Sequence, residues 1–250
     1  MRLPIRPFVT LIAITMLATA THAQEVEVTS CGDVVPDRAT GYLTADLDCS
    51  GFTGGPANVY AAGAAVYLGT RSKLDLRGFT LTAGQHGVLC NNISCGVNSC
   101  ARRTPCDVFN GAINGTEGFC VGGEKPRVDD VTITGCGQGI YAYQRVELSN
   151  STVTGSTYSG VVGGITKVIN CSVTGNGEFG VSASQSNVAR AKIYDSVVTG
   201  NALWSACGTI AICGDVFSRH RPRVSNTTCD ASVAPTMFNP SGTWGLCAAD

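Results

Sequence analysis

Seven times along the 250 residues one spaced pattern returns: an aliphatic residue, an Asn, Asp or Gly two places on, a second core residue at five, and usually Gly at seven. The aliphatic positions are Leu76, Val108, Val128, Leu148, Val168, Ile193 and Val224, followed by Gly78, Asn110, Asp130, Asn150, Asn170, Asp195 and Asn226. Leu81, Ile113, Ile133, Val153, Val173, Val198 and Cys229 take the fifth place, and Gly115, Gly135, Gly155, Gly175 and Gly200 the seventh. From Val108 to Val168 the period is 20 without a slip. A fixed period of this size marks a solenoid, because one coil cannot bury its own apolar face and must stack on neighbours.

Within each unit the alternation has period two, which belongs to strands. The Asn, Asp or Gly between two aliphatic strands fits a sharp bend in the left-handed backbone region. A third strand starts at Gly87-Val88, Gly118-Phe119, Gly139-Ile140, Gly160-Val161 and Gly180-Val181. Three short strands per coil predict an all-β parallel β-helix of about seven coils. On these residues, over roughly positions 70 to 230, the chain resembles right-handed parallel β-helix proteins of the pectin-lyase-like type. The resemblance implies an asparagine ladder at the bend, with Asn110, Asp130, Asn150, Asn170, Asp195 and Asn226 as its rungs.

Residues 1–23 read as a signal peptide: Arg2 and Arg6, an apolar run from Phe8 to Ala20 too short to span a bilayer, and a Thr21-His22-Ala23 end suited to cleavage before Gln24. Residues 24–70 and 230–250 are predicted to cap a solenoid over 71–229, since open ends invite edge-to-edge pairing. The expected location is secreted, either extracellular or in the periplasm and cell envelope, where 13 cysteines imply a disulfide framework. Its candidate members are Cys31 and Cys49, the 90–106 loop with Cys90, Cys95, Cys100 and Cys106, and a Cys229 to Cys247 clamp. The four loop cysteines match the number of zinc ligands, but their spacing lacks the C-x2-C hairpin, so no metal site is expected. The odd count leaves a thiol free or bonded to another molecule, and the oligomeric state is open. A net charge of −1 argues against a nucleic-acid partner.

The outward positions carry the functional expectations. One place before the aliphatic column stand Asp75, Asp107, Arg127, Glu147, Lys167, Lys192 and Arg223, and three places before it Lys73, Lys125, Arg145, Arg190 and Arg221. This stripe reads either as a solvated strand face with ion pairs between coils or as a track for an acidic polysaccharide. Arg127, Arg145, Lys167, Arg190 and Lys192 would be the track's contacts, with Tyr141 and Tyr143 stacking on sugar rings. Asp75 and Asp107, placed in one column at ~5 Å, are the candidate carboxylate pair of a retaining glycosidase. The pectin-lyase-like resemblance implies acids and bases on the outer face of the third strand. Those positions read Leu89 and Asn91, Cys120 and Gly122, Tyr141 and Tyr143, Val162 and Gly164, Ser182 and Ser184, without a carboxylate. The strand after the bend carries Thr80 and Thr82, Thr132 and Thr134, Thr152 and Thr154, then Ser172 and Thr174, a pattern resembling β-helical ice-binding surfaces.

These features predict noncatalytic binding of an acidic extracellular polysaccharide, without a cofactor. The alternatives are a carbohydrate-active enzyme, either a glycosidase or a calcium-assisted polysaccharide lyase, and an extracellular scaffold or ice-binding surface.

Overall fold

Parallel pairing between successive coils organises the chain in the computed structural model, which describes residues 24–55, 63–90, 105–201, 214–234, 242–248 and 250. The expected signal peptide, Cys95 and Cys100 lie outside the described residues. Among those described, 22 strands join in one solenoid-like sheet and no helix occurs. Consequently no helix is long and apolar enough to cross a membrane.

The strands fall into three parallel ladders. The first contains β1 (Glu25–Glu27), β3 (Thr40–Tyr42), β6 (Lys73–Asp75), the opening stretches of β9 (Cys106–Gly123) and β10 (Pro126–Ala142), β11 (Arg145–Ser149), β14 (Ile165–Ile169), β17 (Arg190–Tyr194) and β20 (Arg223–Ser225). The second contains β4 (Leu47–Cys49), β7 (Thr80–Ala83), the middles of β9 and β10, β12 (Thr152–Thr154), β15 (Ser172–Thr174), β18 (Val197–Thr199) and β21 (Thr228–Cys229). The third contains β2 (Asp33–Val35), β5 (Ala64–Leu68), β8 (His86–Cys90), the ends of β9 and β10, β13 (Val161–Gly163), β16 (Phe179–Ala183), β19 (Gly214–Ser218) and β22 (Ser232–Val233). Residues 24–70, expected to form a cap, therefore enter the same ladders through β1 to β5.

The bend residues behave as their chemistry requires. Asn110, Asp130, Asn150, Asn170, Asp195 and Asn226 all have φ between 48° and 61°, a region where a side chain that bonds locally offsets the steric cost. Asn170 Nδ2 donates to Asn150 Oδ1 at 2.9 Å, and Asn226 Nδ2 donates to Asp195 Oδ1 at 3.0 Å. At Asp130 the series departs from expectation: Asn150 Nδ2 donates not to Asp130 but to Asp129 Oδ1, at 2.8 Å. Asp129 stands in register with Ser149, whose hydroxyl donates to the same oxygen at 2.6 Å, so its carboxylate lies directly below the next bend.

Inside the ladders, the aliphatic columns are sealed. Val108, Val128, Leu148, Val168 and Ile193 are each at most 1% exposed, as are Ile113, Ile133, Val153, Val173 and Val198. Each such burial is worth about 1.5–3 kcal/mol before entropy is counted. A second polar chain, which the repeat did not reveal, runs through this interior. Asn176 Oδ1 accepts from Ser156 N at 3.0 Å, while Asn176 Nδ2 donates to Asn201 Oδ1 and Asn201 Nδ2 to Asp215 Oδ1, both at 2.8 Å. Asp215, 2% exposed, also accepts from the backbone N–H groups of Asp230 and Ala231.

The C-terminal segment closes two ladders. Ala248 N donates to Cys229 O at 3.0 Å behind β21. Over β22, Asp250 accepts from Ser232 N and Leu246 N, both at 2.6 Å, and from Cys247 N at 2.9 Å. Four disulfides are present among the described residues: Cys31–Cys49, Cys90–Cys106, Cys120–Cys136 and Cys229–Cys247. Cys171 is free and buried.

Two predictions follow from these contacts. Asn150→Ala loses two rung bonds and keeps a left-handed backbone, so it should cost about 2–3 kcal/mol, whereas Asn150→Gly should recover the backbone part, about 1 kcal/mol. Equal urea midpoints for the two variants would contradict the assignment. Burial alone would raise the Asp250 carboxyl, but hydrogen bonds from Ser232, Cys247 and Leu246 outweigh it and hold the group below its ordinary value of 3.8. A depressed carboxyl contributes stability above about pH 3.9, lost as pH falls through the lower folded value. Trp244, whose N–H groups bond Ser232 and Ser218, should report that loss as a fluorescence change in a Trp204→Phe background, and Asp250→Asn should remove the transition.

Candidate functional site

On the first-ladder face one outward column runs through Lys73, Asp107, Arg127, Glu147, Lys167, Lys192 and Arg223. This corrects the expected pairing of Asp75 with Asp107. Lys73 is the residue opposite Asp107, and Asp75 lies opposite Phe109. The cause is the bend after β6: four residues separate Asp75 from Thr80, but only Asn110 and Gly111 separate their partners Phe109 and Ala112. Arg77 and Gly78 both turn left-handed there, at φ 51° and 82°. Counting from Leu76 thus shifts the register by two, and it is Leu74 that pairs with Val108. Asp75 instead ends the rung series, accepting from Asn110 Nδ2 at 3.2 Å and Arg77 N at 2.9 Å. The paired-carboxylate geometry of a glycosidase is not formed by these two residues.

The middle of the column is a chain of alternating charges. Asp107 lies 3.9 Å from both Lys73 and Arg127, and Glu147 lies 3.3 Å from Arg127 and 3.6 Å from Arg145. Lys73, Asp107, Arg127 and Glu147 line a shallow depression of about 340 Å³. Two expected track contacts, Arg127 and Arg145, are therefore already paired with acidic neighbours.

Beyond Lys167 the alternation stops. Lys167, Lys192 and Arg223 are in register on successive coils, Arg190 is opposite Ile165, and Tyr194 is opposite Ile169. Arg221 stands two places before Arg223. Among the described residues no ion pair engages these five cations.

The third-ladder face is aromatic rather than acidic. Its outward column reads Leu89, Gly122, Tyr141, Val162, Ser182 and Phe217. Cys120, expected to point outward, is fully buried in its bond to Cys136. The strand reaches its core register at Val121, which pairs with Val88 and Ile140, and not at Phe119. Phe119 folds over Gly122, where a Cβ would lie 2.2 Å from its ring. It stacks on His86 at 4.1 Å and on Tyr141 at 6.2 Å, and Tyr143 meets Tyr141 edge-on at 5.3 Å. Rings stacked along the axis spend their faces on each other. Only Tyr143, 51% exposed at the corner before β11, retains substantial free surface.

On the second-ladder face, Thr132, Thr152 and Ser172 form one in-register column and Thr134, Thr154, Thr174 and Thr199 another. Ala112, Asn114 and Val197 interrupt it. Among the described residues no group of three or more His, Cys, Asp or Glu comes together as metal ligands. Compared with known proteins, the chain matches no family model, no curated protein and no solved structure.

Burial pushes the His86 imidazole below its usual value of 6.5, and its Nδ1 accepts from Phe119 N at 3.3 Å. Stability should therefore rise with pH between the lowered folded value and about 6.5. Phe119→Ala should return the His86 titration, followed by NMR, toward the ordinary value. An unchanged titration would show that the Phe119 ring does not bury it.

Proposed function

We propose that this is a secreted right-handed parallel β-helix of the pectin-lyase-like type that binds an acidic polysaccharide without cleaving it. In support of the hand, parallel strands joined by crossovers within one sheet are overwhelmingly right-handed. In support of the location, four disulfides among the described residues suit an oxidising compartment.

The observation that carries the binding reading is the in-register series Lys167, Lys192 and Arg223, flanked by Arg190 and Arg221. Cations one strand spacing apart, ~4.8 Å, repel by about 1 kcal/mol in water and about 3 kcal/mol at an effective dielectric of 20. Directly opposed like charges destabilise a sheet. A polymer with repeated carboxylates or sulfates relieves that repulsion coil by coil. Tyr194 and Ile169 border the series and offer apolar contact for a sugar face.

The test uses the exported, oxidised protein with immobilised neutral and uronate polysaccharides, with and without calcium. Lys167→Ala/Lys192→Ala should weaken retention on acidic glycans about tenfold or more and flatten its salt dependence. Arg127→Ala, whose charge is already matched by Asp107 and Glu147, should change little. Equal losses from both variants would move the site off Lys167 and Lys192. Shortened glycan chains would replace binding by catalysis, and a calcium requirement would then point to a lyase. The in-register Thr columns favour a second reading, an ice-binding or scaffold surface, for which Thr152→Lys should abolish the shaping of ice crystals.

A further inference from the structure

The two ends of the first ladder fit each other. At one end lies β1, Glu25-Val26-Glu27, paired on its inner side with β3. At the other lies β20, Arg223-Val224-Ser225, paired on its inner side with β17. Among the described residues nothing hydrogen-bonds to the outer edge of either strand. This contrasts with β21 and β22, whose outer edges the C-terminal segment covers through Ala248 and Asp250. Among the described residues two ladders are closed and the first is not.

The free backbone groups are complementary. Thr40 N donates to Gln24 O and Val28 N to Tyr42 O, so Glu25 and Glu27 aim their backbone groups away from β3. Asp195 N donates to Ser225 O, so Val224 aims its own away from β17. A parallel strand placed in the ladder's own register sets Val224 opposite Val26. Val224 N then donates to Glu25 O, and Glu27 N donates to Val224 O.

The side chains agree with that register. Val26 packs partly against the core and Val224 is half-buried, so both continue the inner aliphatic column. Outside, Arg223 falls opposite Glu25, whose side chain is 67% exposed and whose present partner, Arg77, is 3.8 Å away. Exposed acids, Glu25 and Glu27, mark one end, and exposed cations, Arg221 and Arg223, mark the other.

We infer that two copies of this chain associate head to tail by adding β1 of one copy to the β20 edge of the next. The occupant is a second copy because one end supplies the strand direction, register and charge that the other lacks. The contact uses different surfaces on the two copies, so it does not close and propagates as an open series. Its small extent makes assembly weak and dependent on concentration.

Sedimentation of the exported, oxidised protein across a concentration series tests this. A size distribution that grows steadily with concentration and shrinks with salt is expected. Arg223→Glu should weaken association about tenfold or more, and Glu25→Arg/Arg223→Glu should restore it. Val224→Pro removes a backbone donor used only between copies, so it should abolish assembly while leaving the urea midpoint near wild type. Monomer at every soluble concentration, a discrete closed dimer, or association indifferent to Val224→Pro would each overturn the proposal.

Discussion

Everything else in this molecule depends on the stacking of one left-handed bend on the next. A strand ladder is indifferent to small slips unless something pins it, and a slip of one residue would turn every buried valine outward. The bend pins it twice. Its backbone occupies a region that Asn and Asp tolerate and most residues do not, and where it is Asn its side chain donates to an acceptor on the coil below, as from Asn170 to Asn150. Conformation sets where each coil turns, and the rung bonds hold the turns above one another.

Strict register has a consequence that differs by face. Like stacks on like, which suits Val108, Val128 and Leu148 inside and the paired threonines on the second ladder. For charges it is unfavourable, and the first-ladder face meets the difficulty in two ways. Between Lys73 and Glu147 the sign alternates, giving a chain of surface pairs each worth at most about 1 kcal/mol. From Lys167 onward it does not alternate, and like charges stand in register with no ion pair among the described residues.

Solenoid ends pose the converse problem, since a ladder that stops leaves backbone groups exposed. The Cys229–Cys247 bond and the Asp250 carboxylate bring a non-repeating segment across two ladder ends. The buried chain from Ser156 to Asp215 ends on backbone donors of Asp230 and Ala231, just where that segment begins its work. The first ladder has no such cover among the described residues, and its two ends carry opposite charge.

The period, the strand alternation and the bend chemistry were legible from residues alone, because each expresses a local preference repeated at fixed spacing. All six Asn and Asp bend positions and the Cys229–Cys247 clamp emerged from that reading. The misreadings share one origin, the places where the repeat changes length. A bend two residues longer after Asp75 moved Lys73, and not Asp75, opposite Asp107. A longer path into the third strand of β9 buried Cys120 against Cys136 and laid Phe119 across Gly122. Which cations keep their charge free, which acid accepts a rung, and which rings stack are contacts between coils. Local preference determines the conformation of each coil, whereas the alignment of one coil on the next depends on chain length between bends, and only the tertiary pairing decides it.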